Sequence, residues 1–337
     1  MLNHTLAKTN NGVVKNLSNW SFILAMVLAA TCWGAGTVIS KGVLGYIPPL
    51  TLLVVQLVAS LTFLWTVIAV QRIQVPFRRE TLRLSLIGFL NPGLAYTFSL
   101  LGLSLTTASM SALIWAAEPI LILGLAWLIL RERLTRSLLA CSLLAIIGVF
   151  LVIGVGASIG NSGSLAGNLL ILAGVFCCAV YTVLTRRDAA KLDPVLLVAL
   201  QQTAALLWAL LIWPLELWSG EMTSLTSISP TAWLWAIVSG MVYYALAFWF
   251  YIIGLKRISA SLAGLFLNLI PIFVVGGAYL FLEERLAAVQ WVGAALILVA
   301  VMAMLRLQGT DTVPATASFE DENTTGMDLP PKPAEYN

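Results

Sequence analysis

LGLSLTTASMSALIWAAEPILILGLAWLILRERL at residues 101–134 and IGLKRISASLAGLFLNLIPIFVVGGAYLFLEERL at residues 253–286 are one segment written twice. They align without a gap at an offset of 152, which sets Gly102 on Gly254, Ser109 on Ser261, Pro119 on Pro271 and Glu132-Arg133 on Glu284-Arg285. An earlier register, offset by 145, sets CWGAGTVISK (32–41) on residues 177–186, with Thr37 on Thr182, Pro49 on Pro194 and Gln56 on Gln201. The two registers differ by seven residues, which must enter between positions 202 and 253; the polar stretch from Glu216 to Ser229 is the natural place. The chain is therefore an internal duplication.

Composition says what is duplicated. Sixty per cent of the residues are apolar and only 10% are charged, far from the usage of a soluble domain. The charges cluster between apolar runs at about 21–40, 48–70, 82–103, 107–130, 137–156, 166–185, 194–215, 231–253, 260–282 and 287–305. Each run is close to the ~20 residues a helix needs to cross about 30 Å of hydrocarbon. Five runs precede the repeat junction and five follow it. An odd number per half places the second half upside down in the bilayer, so the fold class is an all-α polytopic membrane protein of ten transmembrane helices in two inverted five-helix repeats. The expected organisation is a cytoplasmic N-terminal arm (1–20), a first repeat (21–156), a second, inverted repeat (157–306) and a disordered cytoplasmic tail (307–337) that is rich in Thr, Pro and acidic residues.

Loop charges give an independent orientation. With the N-terminus inside, Lys41 and Arg285 are the only two of the 18 basic residues left outside. The positive-inside rule then puts both termini in the cytoplasm and the protein in the cell (inner) membrane. The net charge of +3 is accounted for by orientation and implies no affinity for nucleic acid. Lys41, at the outer end of the first span, is expected to snorkel to the headgroups.

Further residues narrow the chemistry mainly by exclusion. Cys32, Cys141, Cys177 and Cys178 lie in apolar runs without ligand-like spacing and read as small packing residues. His4, the only histidine, sits in the N-terminal arm. No metal site, cofactor or catalytic set emerges, so the chain reads as a non-enzyme. Trp20, Trp65, Trp127 and Trp213 lie near predicted span ends, as interfacial anchors do.

The Glu-Pro at 118–119 followed by Leu130-Arg131-Glu132-Arg133-Leu134-Thr135, with its partner Pro271 and Glu284-Arg285-Leu286, resembles the EamA-like branch of the drug/metabolite transporter (DMT) superfamily. The resemblance covers about residues 20–305. One departure stands out: members often carry an Arg-aromatic pair early in the second span of each half, where this chain has Gln56-Leu57 and Gln201-Gln202. The resemblance implies a ten-helix secondary carrier, commonly an exporter of amino acids or related small polar metabolites, that works by alternating access with a cavity between the halves. The alternatives are a nucleotide-sugar or phosphorylated-metabolite antiporter, which would want Lys or Arg inside the spans, and, outside transport, a membrane-embedded enzyme or a scaffold.

Candidate site residues follow from the cost of polarity in lipid. Glu118 is the only carboxylate near the middle of a span, where an ionisable group costs about 2.5–3.5 kcal/mol on insertion scales. It reads either as a helix clamp or as the group that binds a coupling proton or a substrate amine. Trp33, Trp115 and Trp249 lie deep in their spans and read equally as packing or as cavity wall. Thr37, Asn91, Tyr96 and Ser109 in the first half are further candidates, as are Tyr181, Tyr243, Tyr244 and Asn268 in the second; Asn268, close to the position equivalent to Glu118, would complete a polar pair. Gln56, Gln201 and Gln202 read as packing residues. Pro119 and Pro271 each free a carbonyl four residues earlier, at Trp115 and Leu267, and are candidate hinges. Gly36 and Gly276 read as sites of close helix approach. The expected partners are a small-molecule metabolite and the lipid bilayer, with a proton as one option for the coupling ion.

Overall fold

The computed structural model describes residues 2–76, 78–130, 136–156, 164–185, 192–218, 228–255, 266–267 and 269–311. All regular structure among them is helical. The first repeat holds α1 (Leu2–Val43), α2 (Pro49–Gln71), α3 (Arg79–Leu86), α4 (Ala95–Leu105), α5 (Ala108–Trp115), α6 (Glu118–Leu130) and α7 (Arg136–Gly156). The second holds α8 (Leu165–Thr185), α9 (Pro194–Trp218), α10 (Pro230–Gly240), α11 (Ala247–Leu255), α12 (Ile270–Phe281) and α13 (Ala288–Asp311). Helix α1 begins at Leu2, so helical backbone runs through the N-terminal arm. Helix α13 reaches Asp311, so the first residues of the predicted tail are helix rather than disorder; residues 312–337 lie outside the described residues.

Local chemistry sets the helix ends. The Thr107 hydroxyl accepts from the Met110 amide and opens α5, and Ser229 accepts from Ala232 ahead of Pro230 to open α10; both are N-caps that satisfy an otherwise orphaned N–H. At the end of α12 the Leu282 and Glu284 amides both fold back onto the Ala278 carbonyl, with Glu283 in left-handed backbone (φ 55°).

Among the described residues, seven helical stretches are long and apolar enough to cross a membrane: Ser21–Val43, Pro49–Gln71, Arg79–Leu105, Ala108–Ile129, Leu165–Leu184, Pro194–Glu216 and Pro230–Tyr251. Shorter apolar helices at Leu139–Leu151, Ile270–Phe281 and Ala288–Ala303 fall on the other three apolar runs.

Helix packing follows the duplication. Helix α2 packs on α9, its own repeat partner, and α7 packs on its partner α13. The remaining major contacts come in exchange-related pairs: α1 on α10 and α11 against α8 on α4, and α1 on α12 against α8 on α5 and α6. Swapping the halves maps most of this contact scheme onto itself, as expected of a repeat-related pair, although α1 on α10 has no counterpart of like extent between α8 and α3. Irregularities repeat too. A kink interrupts the helix at Leu90–Leu94 in the first half and a wide π turn occupies Met241–Leu246 in the second, at corresponding places in the 152-residue register. Gly88 and Gly240 are also 152 apart, so the seven extra residues enter before Gly240, consistent with the stretch read from sequence. Gly276 faces open space rather than a neighbouring helix, which corrects its reading as a close-approach residue.

Candidate functional site

The same breaks that interrupt the helices build a central cavity. Helix α5 ends at Trp115, Ala116 and Ala117 form a turn, and α6 restarts at Glu118 just before Pro119. In the second half Leu269 forms the corresponding turn and α12 restarts at Ile270 before Pro271. At Asn91 the backbone leaves helical geometry altogether (φ −145°, ψ 119°).

The cavity has a volume of about 280 Å³. From the first half it receives Trp33, Thr37, Asn91, Tyr96, Trp115 and Glu118, and from the second Tyr243 and Tyr244, all anticipated from sequence. Three other expectations fare differently. Tyr181 does not line it; its hydroxyl donates to Gln201 Oε1 at 2.7 Å. Trp249 does not line it either, packing edge-on against Phe63 with ring centroids 5.6 Å apart. Asn268 lies outside the described residues.

Duplication reaches into the lining position by position. In the 145 register Trp33 pairs with Cys178 and Thr37 with Thr182; in the 152 register Tyr96 pairs with Phe248, Ser99 with Tyr251 and Glu118 with Ile270. All ten line the cavity. Thr182, Phe248 and Tyr251 were missed as candidates, although projecting Thr37 and Tyr96 through the two offsets would have found the first two. Ser99 carried no such signal.

Positions are symmetric but the chemistry is not. The first half supplies the carboxylate and the amides, while the second supplies four aromatic rings beside aliphatic, thiol and hydroxyl side chains. Tyr96 stacks on Trp115 (5.9 Å between centroids) and meets Tyr243 and Tyr244 edge-on at 5.6 and 5.1 Å. Trp33 meets Phe248 and Tyr251 at 5.2 and 5.5 Å. Tyr243, Tyr96 and Thr37 share the wall, and so do Cys178 and Glu118. Cys178 is thus a wall residue as well as a packing one.

Gln56 shows the asymmetry at atomic detail. Its amide nitrogen donates to Ser40 Oγ at 2.8 Å and to Ser239 Oγ at 2.7 Å. Both serines spend their own protons on helix carbonyls, Ser40 on Gly36 and Ser239 on Ala236, so they act only as acceptors toward Gln56 and fix which way its amide points. Gln56 Oε1 is left buried without a partner, as are Asn91 Oδ1 and Ser99 Oγ, and all three residues line the cavity. An unmet buried polar atom costs about 1–3 kcal/mol. The repeat partner Gln201 avoids that cost because Tyr181 donates to it. In the first half the residue matching Tyr181 is Gly36, which has no side chain to donate; a Cβ there would stand 2.7 Å from Tyr243 Cβ. Gly36 therefore both seats Tyr243 and leaves Gln56 Oε1 unmet.

Other polar residues close the bundle away from the cavity. Glu284 accepts from the Ala108 amide at 2.7 Å and from the Ser109 amide and hydroxyl at 2.9 and 2.7 Å, so Ser109 is committed to this cap. Glu216, buried, accepts in the same way from Leu50 and from the Thr51 amide and hydroxyl. Lys41 does not reach for headgroups, as expected from its position; its Nζ donates to the Leu103 carbonyl at 2.8 Å. A separate groove of about 740 Å³, between α1, α10 and α12, is lined without any charged side chain.

Comparison with known proteins gives the family. The sequence model of the EamA-like transporter family matches residues 20–154 and 165–306, one match per repeat. The chain belongs to the EamA-like transporter family. Among its relatives, the uncharacterized transporter YetK of Bacillus subtilis (strain 168) is 26% identical over 224 residues, a match that covers 64% of this chain and 66% of YetK, slightly under two thirds of its length. The uncharacterized transporter YvbV of the same organism is 25% identical over 297 residues, covering 86% of this chain and 92% of that one. An uncharacterized transporter of Archaeoglobus fulgidus is 22% identical over 288 residues, covering 84% and 98%. A solved crystal structure shares the fold at 19% identity, with a TM-score of 0.58 over 86% of this chain and 98% of that one. For this EamA-like chain, family membership and multiple apolar helices fit a multi-pass membrane protein of two-repeat architecture.

Proposed function

We propose that this EamA-like protein is a secondary active carrier of ten spans in two inverted repeats, which moves a small amino-bearing metabolite, an amino acid or a related compound, outward across the inner membrane by alternating access. Both termini are cytoplasmic in this reading. The observation that carries it is the lining of the central cavity by residues from matching positions of both halves. A site shared across a pseudo-twofold axis is what rocking of one half against the other needs, because the same wall is then presented to either side. In the proposed orientation the Glu216, Glu284 and Lys41 hydrogen bonds all lie at extracytoplasmic helix ends, so they close the outer side of this state. Glu118 holds the substrate amine or the coupling proton, and Pro119 and Pro271 serve as hinges beside it. Among the described residues no Lys or Arg lines the cavity, which speaks against nucleotide sugars and phosphorylated metabolites.

The test is reconstitution. Purified protein in proteoliposomes, offered a panel of labelled metabolites with and without a pH gradient, is expected to accumulate an amino-bearing compound saturably and only when a gradient is imposed. Uptake restricted to phosphorylated compounds, or none across the panel, would remove the proposal.

A further inference from the structure

Resting on the carrier reading, and narrowing it, we infer that the substrate is a primary ammonium or guanidinium cation that carries no carboxylate of its own. The argument is one of unmet valences. Gln56 Oε1 and Asn91 Oδ1 are buried acceptors without partners on residues that line the cavity, and Glu118 adds a carboxylate, which is acceptor-only when ionised. These atoms ask for a ligand that brings N–H donors and positive charge. The rest of the wall suits the same ligand: Tyr96, Trp115, Trp33 and Tyr251 offer the ring faces that attract cations.

A carboxylate on the ligand would find no cationic side chain to meet it, only neutral donors such as the hydroxyl of Ser111 and the indole of Trp115. No Lys, Arg or His lines the cavity among the described residues. The one nearby amine, on Lys41, is committed to the Leu103 carbonyl. At the helix break beside Glu118 three amides are already spent. Ala116 N donates to the Ala112 carbonyl, Ala117 N to Ile114 and Ile120 N to Ala117, while Pro119 has no N–H. A zwitterionic amino acid would thus place its anionic end without a countercharge, which costs free energy in a desolvated site. The contrast between Gln56 and Gln201 adds weight. The duplication contains a version of this amide that is satisfied by Tyr181, and the chain carries Gly36 instead where the cavity is.

Matched pairs that differ only in the carboxylate decide the matter: phenethylamine against phenylalanine and isopentylamine against leucine, with tetramethylammonium as a cation that has no N–H. Binding is measured by calorimetry and tryptophan fluorescence on purified protein in nanodiscs, and exchange by counterflow in proteoliposomes. At least one amine is expected to bind ten-fold or more tighter than its amino acid and tighter than tetramethylammonium, and Glu118→Gln should weaken that amine at least ten-fold. Gln56→Leu, which removes the unmet oxygen, should weaken amines while leaving tetramethylammonium unchanged, and its thermal stability reports whether the variant folds. Amino acids that bind or exchange as well as their amines overturn this inference and leave the carrier reading standing. Tetramethylammonium that binds as tightly as the amines overturns the N–H requirement. Counterflow of neither class removes the inference together with the reading beneath it.

Discussion

Gly240 lies so close to Gln56 that a Cβ on the glycine would stand 2.6 Å from the glutamine Cα and carbonyl oxygen. Across the pseudo-twofold axis the repeat partners do the same: a Cβ on Gly88 would stand 2.6 Å from Gln201 Cα and against its carbonyl oxygen. Two helices of one half thus cross two of the other at contacts only glycine permits, one on each side of the axis. Since backbone cannot yield as a flexible side chain does, overpacking of roughly 1–3 kcal/mol is expected. Gly240→Val and Gly88→Val should each lower the melting temperature of the detergent-solubilised protein. Gly276→Val, at a position with open space around it, should not; equal behaviour of all three would contradict the packing scheme.

Glu284 caps a helix of the other repeat. Glu284→Ala removes three acceptor contacts at the start of α5 and should cost the ~0.5–2 kcal/mol typical of a lost cap, read as a fall in thermal stability. Ser109→Ala removes only the hydroxyl contact and should cost less. If the cap also holds the outer side shut, a cysteine placed at Ser111 on the cavity wall, in a background lacking native cysteines, should react faster with an external thiol reagent when Glu284 is replaced.

The prolines beside the two breaks should control rate rather than affinity. Pro119→Ala and Pro271→Ala each restore an N–H that can bond the Trp115 or Leu267 carbonyl, which stiffens the turn. Turnover in proteoliposomes is expected to fall several-fold while calorimetric affinity changes little. Transport at wild-type speed in both variants would make the breaks purely architectural.

Glu118→Gln keeps the size and most of the hydrogen-bonding capacity of the side chain but cannot carry charge or a proton. Normal folding with transport largely lost is the expected outcome. Persisting exchange of labelled for unlabelled substrate, with gradient-driven accumulation abolished, identifies a coupling role; joint loss of both identifies substrate binding. Full activity would return Glu118 to helix packing.

Orientation is checked by cysteines at two exposed positions. In intact cells, a cysteine replacing Ser164 should react with an impermeant thiol reagent and one replacing Arg78 should react only after permeabilisation. The reverse pattern would invert the topology.

Sequence alone determined the two-repeat plan, the apolar runs and part of the cavity wall. These are written in local quantities: a gapless offset, runs of membrane length, and polar residues such as Glu118 and Asn91 where lipid would penalise them. It also located the paired breaks, because proline lacks an N–H in any context. What it left undecided was the rotation of each helix about its own axis. In a soluble helix the apolar stripe marks the inner face, but here lipid is as apolar as the core, and side chains such as Phe150 and Leu211 stay exposed while Leu57 and Ile114 are buried. Hydropathy does not tell these apart, so Trp249 was equally plausible inside and turns out against Phe63, and Tyr181 turns to Gln201 instead of the cavity. Tertiary structure alone decided that Gln56, a cavity-lining residue alike in sequence to its repeat partner, keeps an unmet oxygen while Gln201 does not. The cause is a single long-range event: Gly36, where the other half has Tyr181, leaves room for the ring of Tyr243, and the donor that would have satisfied Gln56 is absent.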